Sequence, residues 1–490
     1  MKIVSLLICS FILVQSCRNS AFSQTPLDAI NNQFVNDAAL ANASIGILAI
    51  DLKSGEKLID HQAQISLPSA STAKLFATAG ALELLGENYK PVTRIYIGSK
   101  LDKVGTVDGD LWIRGGGDVS LGSKYFNADG TELDFLKRWA DTLYQLGVRR
   151  ISGSVIADAS EFGYRGAPDG WTWNDMGNYY GAGPSGLPFY DNMLKYYFKI
   201  NSTAGSAPEL LKTFPTVENL NFKNYILASS AKGDNSYIYG APYSLDRFGT
   251  GFLQMNSTIV VKGSIPDPEL QFAIEFKKAL IDRGIQVTEG AKGARNMNLS
   301  AAWKRYSSGP MLIYSNAGES VGALANWTNL KSVNLFAEQL VCLVGYAKNG
   351  DGSTENGIKQ LDKFFATKFS TEGLYLKDGS GLSRSNAISP SHFCNLLKFI
   401  HKSHTFKTFK ATLPIAGETG TLSDVCKGQA GHGRVRAKSG TMSRIKSYAG
   451  YVDTKSGKEI AFAVIVNNYN CSSGTLLTKI ETVLNGLAVL

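Results

Sequence analysis

The segment Pro68-Ser69-Ala70-Ser71-Thr72-Ala73-Lys74 runs directly into Leu75-Phe76-Ala77-Thr78-Ala79-Gly80-Ala81-Leu82-Glu83-Leu84-Leu85, and this apolar run limits what the chain can become. Leu75, Ala79, Leu82 and Leu85 recur at helical spacing and Gly86 supplies a C-terminal stop, so the spacing predicts a helix buried in a core. Pro68 and Ser69 mark its start, with Ser69 expected as an N-cap whose hydroxyl accepts from the first free N–H groups. The first turn then carries Ser71 and Lys74, which are three apart and share a face, so the amine can reach the hydroxyl. A serine hydroxyl is a weak nucleophile until a base takes its proton. A lysine can be that base when desolvation or a neighbouring cation lowers its pKa. Taken alone, S-x-x-K recurs often by chance and indicates little more than a solvated helix start.

Two later motifs change that reading. Ser332-Val333-Asn334 stands just before the apolar run Leu335 to Val344, and Lys438-Ser439-Gly440-Thr441 lies in a strand-like stretch near the C-terminus. Ser332 and Asn334 are two apart, so a regular helix would turn them away from each other. A connection ahead of the Leu335 helix can aim both into one cleft. There Ser332 can relay a proton to a leaving group, and the Asn334 amide can hold both a substrate amide and Lys74. Lys438 adds a cation that lowers its neighbours' pKa values and draws an anionic substrate. Ser439 and Thr441 point to one side of a strand, with Gly440 between them, and suit a carboxylate. The backbone N–H groups of Ser71 and Thr441 are the natural donors to an oxyanion. Ser71, Lys74, Ser332, Asn334 and Lys438 are therefore the expected catalytic set, and Ser439, Gly440 and Thr441 the expected substrate-binding set.

Other chemistries find less support. The five histidines contain no H-E-x-x-H, and His401 and His404 have no evident third ligand, so no metal is expected. Gly115-Gly116-Gly117 does not extend to G-x-G-x-x-G, and neither a P-loop nor a G-x-S-x-G elbow is present; no cofactor is expected. The net charge of +9 could suit nucleic acid, but no nucleic-acid motif accompanies it, and it equally suits an anionic envelope. Met1-Lys2 followed by the apolar run Ile3 to Val14 has the length of a signal peptide rather than a membrane span, so the mature chain is expected outside the cytoplasm, in the periplasm. Two readings of its end stay open: cleavage after Ser23, or an imperfect lipoprotein box that leaves a lipid anchor on Cys17. Beyond it stand Cys342, Cys394, Cys426 and Cys471, too few for a disulfide scaffold. Cys342 fits a core helix, and whether Cys426 and Cys471 pair is open.

With 490 residues the chain exceeds one ordinary core. Residues 25–41 read as a helix, and Ile45–Leu52 with Lys57–Asp60 as a hairpin. Ser447–Asp453 with Ile460–Asn467 make a second hairpin, and Leu476–Leu490 a closing helix. Terminal elements of the same kind predict one antiparallel sheet with the chain ends adjacent. Between Gly86 and about residue 300 helical periodicity is scarce. Short β-like runs appear instead: 94–97, 111–113, 151–156, 196–200 and 257–261. One helix, Phe272 to Arg283, precedes Ile285-Gln286-Val287. The expected organisation is a signal peptide at 1–23, a discontinuous α+β domain from 24–88 and 300–490, and a β-rich insertion at 89–299.

The ordered set S-x-x-K, S-x-N, K-[TS]-G is the signature of penicillin-binding proteins and serine β-lactamases. Longer stretches resemble the D-alanyl-D-alanine carboxypeptidase/endopeptidase family, the class C low-molecular-mass penicillin-binding proteins. These are Gly109 to Asp118, Asp378-Gly379-Ser380-Gly381-Leu382-Ser383-Arg384, Leu413 to Gly417 and Arg434 to Lys438, and the likeness runs from about residue 28 to the end. The resemblance implies a penicillin-binding/β-lactamase-like fold, an antiparallel sheet flanked by helices plus a helical subdomain, with the insertion forming two further domains. It implies hydrolysis of peptidoglycan stem peptides at D-Ala-D-Ala ends or D-amino-acid cross-links, with β-lactam antibiotics as acylating inhibitors. Ser439 departs from the commoner threonine but keeps the hydroxyl. Two alternatives remain beside this reading: a serine β-lactamase, and a non-catalytic peptidoglycan-binding protein.

Overall fold

The computed structural model describes residues 26–297 and 310–490. The expected signal peptide and Cys17 lie outside them. A five-stranded antiparallel sheet runs in the order Val435–Met442, Ile445–Asp453, Glu459–Asn467, Ser44–Asp51, Lys57–His61. The register Ser44↔Asn467 to Asp51↔Ile460 joins the two hairpins at the centre. Both faces of the sheet are covered, so its central strands are apolar at nearly every position. Ile45, Ile47 and Ala49, with Phe462, Val464 and Val466, face the terminal helices Pro26–Val35 and Ser473–Ala488. Leu48, Ile50, Ala461, Ala463 and Ile465 face a second layer, which holds the helix Lys74–Leu85. That helix is enclosed by the helices Val321–Leu330, Asn334–Asn349 and Thr354–Ala366. Its approach to the last is close: a Cβ on Gly80 would lie 2.2 Å from Leu361 Cδ2.

The segment between enters and leaves by paired strands, Val92–Ile97 and Met311–Ala317, with Val92 opposite Ala317. We therefore draw the inserted region to Ala317 on strand pairing, past the composition boundary at 299. These two belong to a mixed five-stranded sheet with Leu111–Arg114, Val155–Asp158 and Ala291–Gly293, and smaller sheets follow. Two departures from the sequence reading stand out. Residues 151–156 are not one strand. Arg150–Ile151 and Val155–Asp158 belong to different sheets, because Gly153 turns the chain and its N–H donates to the Gly109 carbonyl at 2.9 Å. A second helix, Asp134–Gln145, packs Phe135, Leu136, Trp139, Ala140 and Leu143 against the helix Pro268–Asp282. Its buried residues recur at i, i+1, i+4, i+5 and i+8, so the helical period was legible in the sequence within a stretch that otherwise reads as short β-like runs.

All four described cysteines are free thiols, and Cys342 is buried in its helix. Phe76, in the helix Lys74–Leu85, meets Phe365 and Phe393 edge-on, at centroid distances of 5.5 and 5.4 Å. Phe76→Ala should thus cost about 3–5 kcal/mol of stability, read as a lowered denaturation midpoint. A midpoint equal to the parent's would show that these three rings do not anchor the helix.

Candidate active site

The first turn of the motif helix differs from its sequence reading. Ala70–Ala73 form a 3-10 turn and the α-helix proper begins at Lys74. Ser69 makes no side-chain cap; its carbonyl instead accepts from Thr72 Oγ1 at 2.7 Å and Ser447 Oγ at 2.5 Å. The reason lies in Ala70, whose φ of 48° swings the chain between Ser69 and the turn. Left-handed φ at a non-glycine residue costs about 1–3 kcal/mol and persists only where surroundings enforce it. Here the strand Val435–Met442 packs on this turn: a Cβ on Gly440 would lie 2.3 Å from Ser447 Oγ, 2.6 Å from Ser69 O and 3.0 Å from Ser71 N. Glycine is needed at 440 for the close approach of two backbones.

Lys74 Nζ, fully buried, lies 2.9 Å from Ser71 Oγ, 2.7 Å from Asn334 Oδ1 and 2.7 Å from the Ser380 carbonyl. The Asn334 orientation is set by its other end, where Nδ2 donates to the Tyr180 carbonyl at 2.8 Å. Asn334 Oδ1 and Ser380 O can only accept. A neutral amine therefore gives them its two N–H bonds and turns its lone pair toward Ser71 Oγ. Burial lowers the Lys74 pKa to about 7, against the opposing pull of the Asp378 and Glu338 carboxyls.

Ser332 sits between two helices with φ 58°, which lets it and Asn334 face the same cleft although they are two residues apart. Lys438 Nζ lies 2.9 Å from Ser332 Oγ and 2.7 Å from the Ser439 carbonyl. Its pKa is held well below the usual lysine range, first by burial and then by the Lys74 charge. Ser439 Oγ donates to Thr421 Oγ1 at 2.8 Å, and Thr441 is exposed. The strand Val435–Met442 is a sheet edge. Ala437 N–H donates outward to Pro414 O, so by the period of two the N–H groups of Ser439 and Thr441 also point away from the sheet. All eight residues expected from the sequence thus lie close together, on the start of the motif helix, the Ser332–Asn334 connection and the facing edge strand.

The structure adds residues that sequence reasoning left without a role. Glu338 accepts from the N–H groups of Gly379 (3.0 Å) and Ser380 (2.8 Å), which fixes the carbonyl that Lys74 uses. Burial and the neighbouring Asp378 raise its pKa. Asp378 accepts from the N–H groups of Gly381 (2.8 Å) and Ser383 (2.6 Å), from Asn386 Nδ2 (2.7 Å) and from Trp171 Nε1 (2.8 Å). Trp171 and Tyr180 come from the inserted region. A signal for Glu338 was present: an acid four residues after Asn334 inside an apolar helix has to find buried partners. Nothing in the sequence pointed to Tyr180, because only its backbone carbonyl is used.

Fold and site together define a serine hydrolase of the penicillin-binding/β-lactamase-like class. A family model described as the D-Ala-D-Ala carboxypeptidase 3 (S13) family matches residues 28–483. The chain belongs to that family, and its enzymatic class is serine-type D-Ala-D-Ala carboxypeptidase. The D-alanyl-D-alanine carboxypeptidase of Actinomadura sp. (strain R39) is 28% identical over 463 residues, 91% of this chain and 80% of that protein. The D-alanyl-D-alanine carboxypeptidase DacB of Haemophilus influenzae is 24% identical over 487 residues, 94% and 92% of the two chains. In three dimensions, the crystal structure of penicillin binding protein 4 (dacB) from Haemophilus influenzae matches with a TM-score of 0.78 at 19% identity. It covers 95% of this chain and 100% of that one, a likeness of fold.

A methyl at residue 440 would push the strand away from Ser71. Gly440→Ala should therefore lower hydrolysis of a D-Ala-D-Ala peptide by about 100-fold, the cost of an ångström-scale misplacement, with circular dichroism unchanged. Hydrolysis near the parent rate would show that the strand and the Ser71 turn are not held at this spacing.

Proposed function

We propose that Ser71 carries a covalent acyl-enzyme in the hydrolysis of peptidoglycan stem peptides. The observation behind this is the Lys74 amine, 2.9 Å from Ser71 Oγ with carbonyl-type oxygens at its other two contacts. The neutral amine takes the Ser71 proton as Oγ attacks the carbonyl of the penultimate D-alanine. The oxyanion that forms accepts from the N–H groups of Ser71 and Thr441. The proton taken by Lys74 passes on, by way of Ser332 and Lys438, to the departing D-alanine nitrogen as the C–N bond breaks, which returns Lys74 to the neutral amine. Water then attacks the ester with Lys74 again as base, releasing the shortened peptide and restoring Ser71. Ser439 and Thr441, beside Lys438, hold the substrate's terminal carboxylate through charge-assisted hydrogen bonds. Asn334 has a second N–H for the substrate backbone, since Tyr180 occupies only one.

The same steps cut a D-alanyl-D-amino-acid cross-link, which would make the enzyme an endopeptidase as well. A β-lactam amide, opened by the same attack, would leave its acyl group on Ser71. We place this activity outside the cytoplasm, where peptidoglycan lies, on the strength of the apolar N-terminal run Ile3 to Val14. Among the described residues no helix is long and apolar enough to cross a membrane.

Incubation with penicillin should add one penicilloyl group, and peptide mapping should find it on Ser71. Ser71→Ala should stay unlabelled, and Lys74→Ala should acylate at least about 100-fold more slowly with little change in pre-covalent affinity. An adduct on another residue, or an undiminished rate in Lys74→Ala, would sink the assignment.

The pH profile follows from Lys74. Its folded pKa is lowered to about 7, so the neutral, basic form is lost as pH falls through 7 and complete above it. The acylation rate should fall about tenfold per pH unit on the acid side and level off on the alkaline side. A rate flat between pH 5 and 8 would exclude Lys74 as the base.

A further inference from the structure

One surface of the inserted region breaks the expected pattern of a sheet covered on one side. In the three-stranded sheet Asn221–Ser229, Asp246–Gln254, Asp234–Tyr239, alternate residues point to opposite faces. Inward-pointing Ile226, Ala228, Ile238 and Leu253 are buried in the core. The outward positions should be polar, yet they hold Tyr225, Phe248, Phe252, Tyr237 and Tyr239. The register sets Phe248 beside Tyr239, and Thr250 between Tyr225 and Tyr237. The Tyr239 and Phe248 rings stack at 4.8 Å with 4° between their planes. Tyr225 continues the run 6.2 Å from Phe248, and Trp173 extends it 6.3 Å from Tyr239. Tyr225 is 63% exposed, Tyr237 49%, Phe252 48% and Trp173 47%. A contiguous exposed apolar patch of this kind marks an interaction site.

Two observations indicate the partner. The first is continuity with the active site. Trp173 opens the short helix Trp173–Met176, and the chain then reaches Tyr180, whose carbonyl holds Asn334. Asn178 Oδ1, on the way, accepts from Ile238 N–H at 3.0 Å and ties this segment to the sheet. The second is charge. In a chain of net charge +9, the outward positions of these strands carry one cation and one anion, Lys223 and Asp246, both toward one end. The remainder is aromatic or uncharged, and three of the rings bear phenol hydroxyls. Such a face suits a neutral partner that offers C–H surfaces for stacking and hydroxyls for hydrogen bonds.

We propose that this aromatic face is a platform for the glycan strand of peptidoglycan. Its N-acetylated sugar rings would stack along Trp173, Tyr239, Phe248 and Tyr225, with Phe252 on the same face, while an attached stem peptide reaches Ser71. The platform rests on peptidoglycan being the substrate, so the test separates the two readings. Binding of glycan strands stripped of their peptides is measured on the full chain at high salt, which screens the lactyl carboxylates that stripping exposes, beside hydrolysis of a short D-Ala-D-Ala peptide. Removing two rings, in Tyr225→Ser/Phe252→Ser, should weaken strand binding by about 10-fold or more. Peptide hydrolysis should stay within about twofold, which also reports that the variant folds. If the double variant does not fold, Tyr225→Ser alone, at the most exposed ring, carries the comparison. With peptide hydrolysis intact, a parent without affinity for stripped strands, or a variant that binds them equally well, overturns the platform. Substitutions that abolish self-association or vesicle binding in a protein lacking strand affinity overturn it too. A parent that fails to hydrolyse the peptide overturns the substrate reading instead.

Discussion

The burial of Lys74 is the constraint on which the site depends. An ammonium group taken out of water is costly unless it is paired, and a neutral amine there is cheap. The protein settles between these limits, with a lysine pKa brought to about 7 by desolvation and kept from falling further by Asp378 and Glu338. The same burial forces each polar neighbour to have a defined partner. Asn334 is oriented by Tyr180, and Ser380 is presented by Glu338. The direction of the lone pair follows from those two contacts. A solvated lysine at the same spacing would have neither the pKa nor the direction.

Positioning is achieved largely by backbone placed under strain or in unusually close contact. Ala70 and Ser332 both hold left-handed φ, one just before Ser71 and the other two residues before Asn334. Gly381 completes the arrangement: with φ at 80° it lies so close to the Ala70 carbonyl that a Cβ would come within 1.9 Å. The Asp378–Ser383 loop, the Ser71 turn and the Gly440 strand are thus pressed together, and no one of them can shift without the others. Such rigidity is what catalysis by preorganised groups requires.

The inserted region does more than extend the chain. Trp171 donates its indole N–H to Asp378, which itself holds the loop that carries Ser380. Tyr180 fixes Asn334. Two residues far in sequence from all three motifs therefore hold in place the groups that Lys74 meets. The paired strands Val92–Ile97 and Met311–Ala317 return the chain beside the point where it left, so the insertion can grow without parting the motif helix from its neighbours.

What the sequence determined by itself was local and periodic. An apolar helix beginning with Ser71 and Lys74, two hairpins with alternating patterns and helices at both ends follow from side-chain spacing. Matching terminal elements were enough to indicate one sheet. The order of three short motifs marked eight residues that the fold brings together, since each motif needs only a hydroxyl, an amine or an amide at a fixed offset. The fold class came from the family resemblance that those motifs and the longer family-like stretches carry. The helix Asp134–Gln145 was legible in its period of apolar residues and was overlooked among the β-like runs around it. Tertiary structure decided the rest. Residues 151–156 read as one strand because a single glycine turn leaves apolar residues on both sides. The missing cap at Ser69 depends on the φ of Ala70, which packing imposes and no propensity records. The roles of Tyr180 and Ser380 rest on main-chain carbonyls, which every residue possesses, so no side-chain pattern can announce them. Only the folded chain, bringing together groups up to several hundred residues apart, determines which carbonyl an amine will meet.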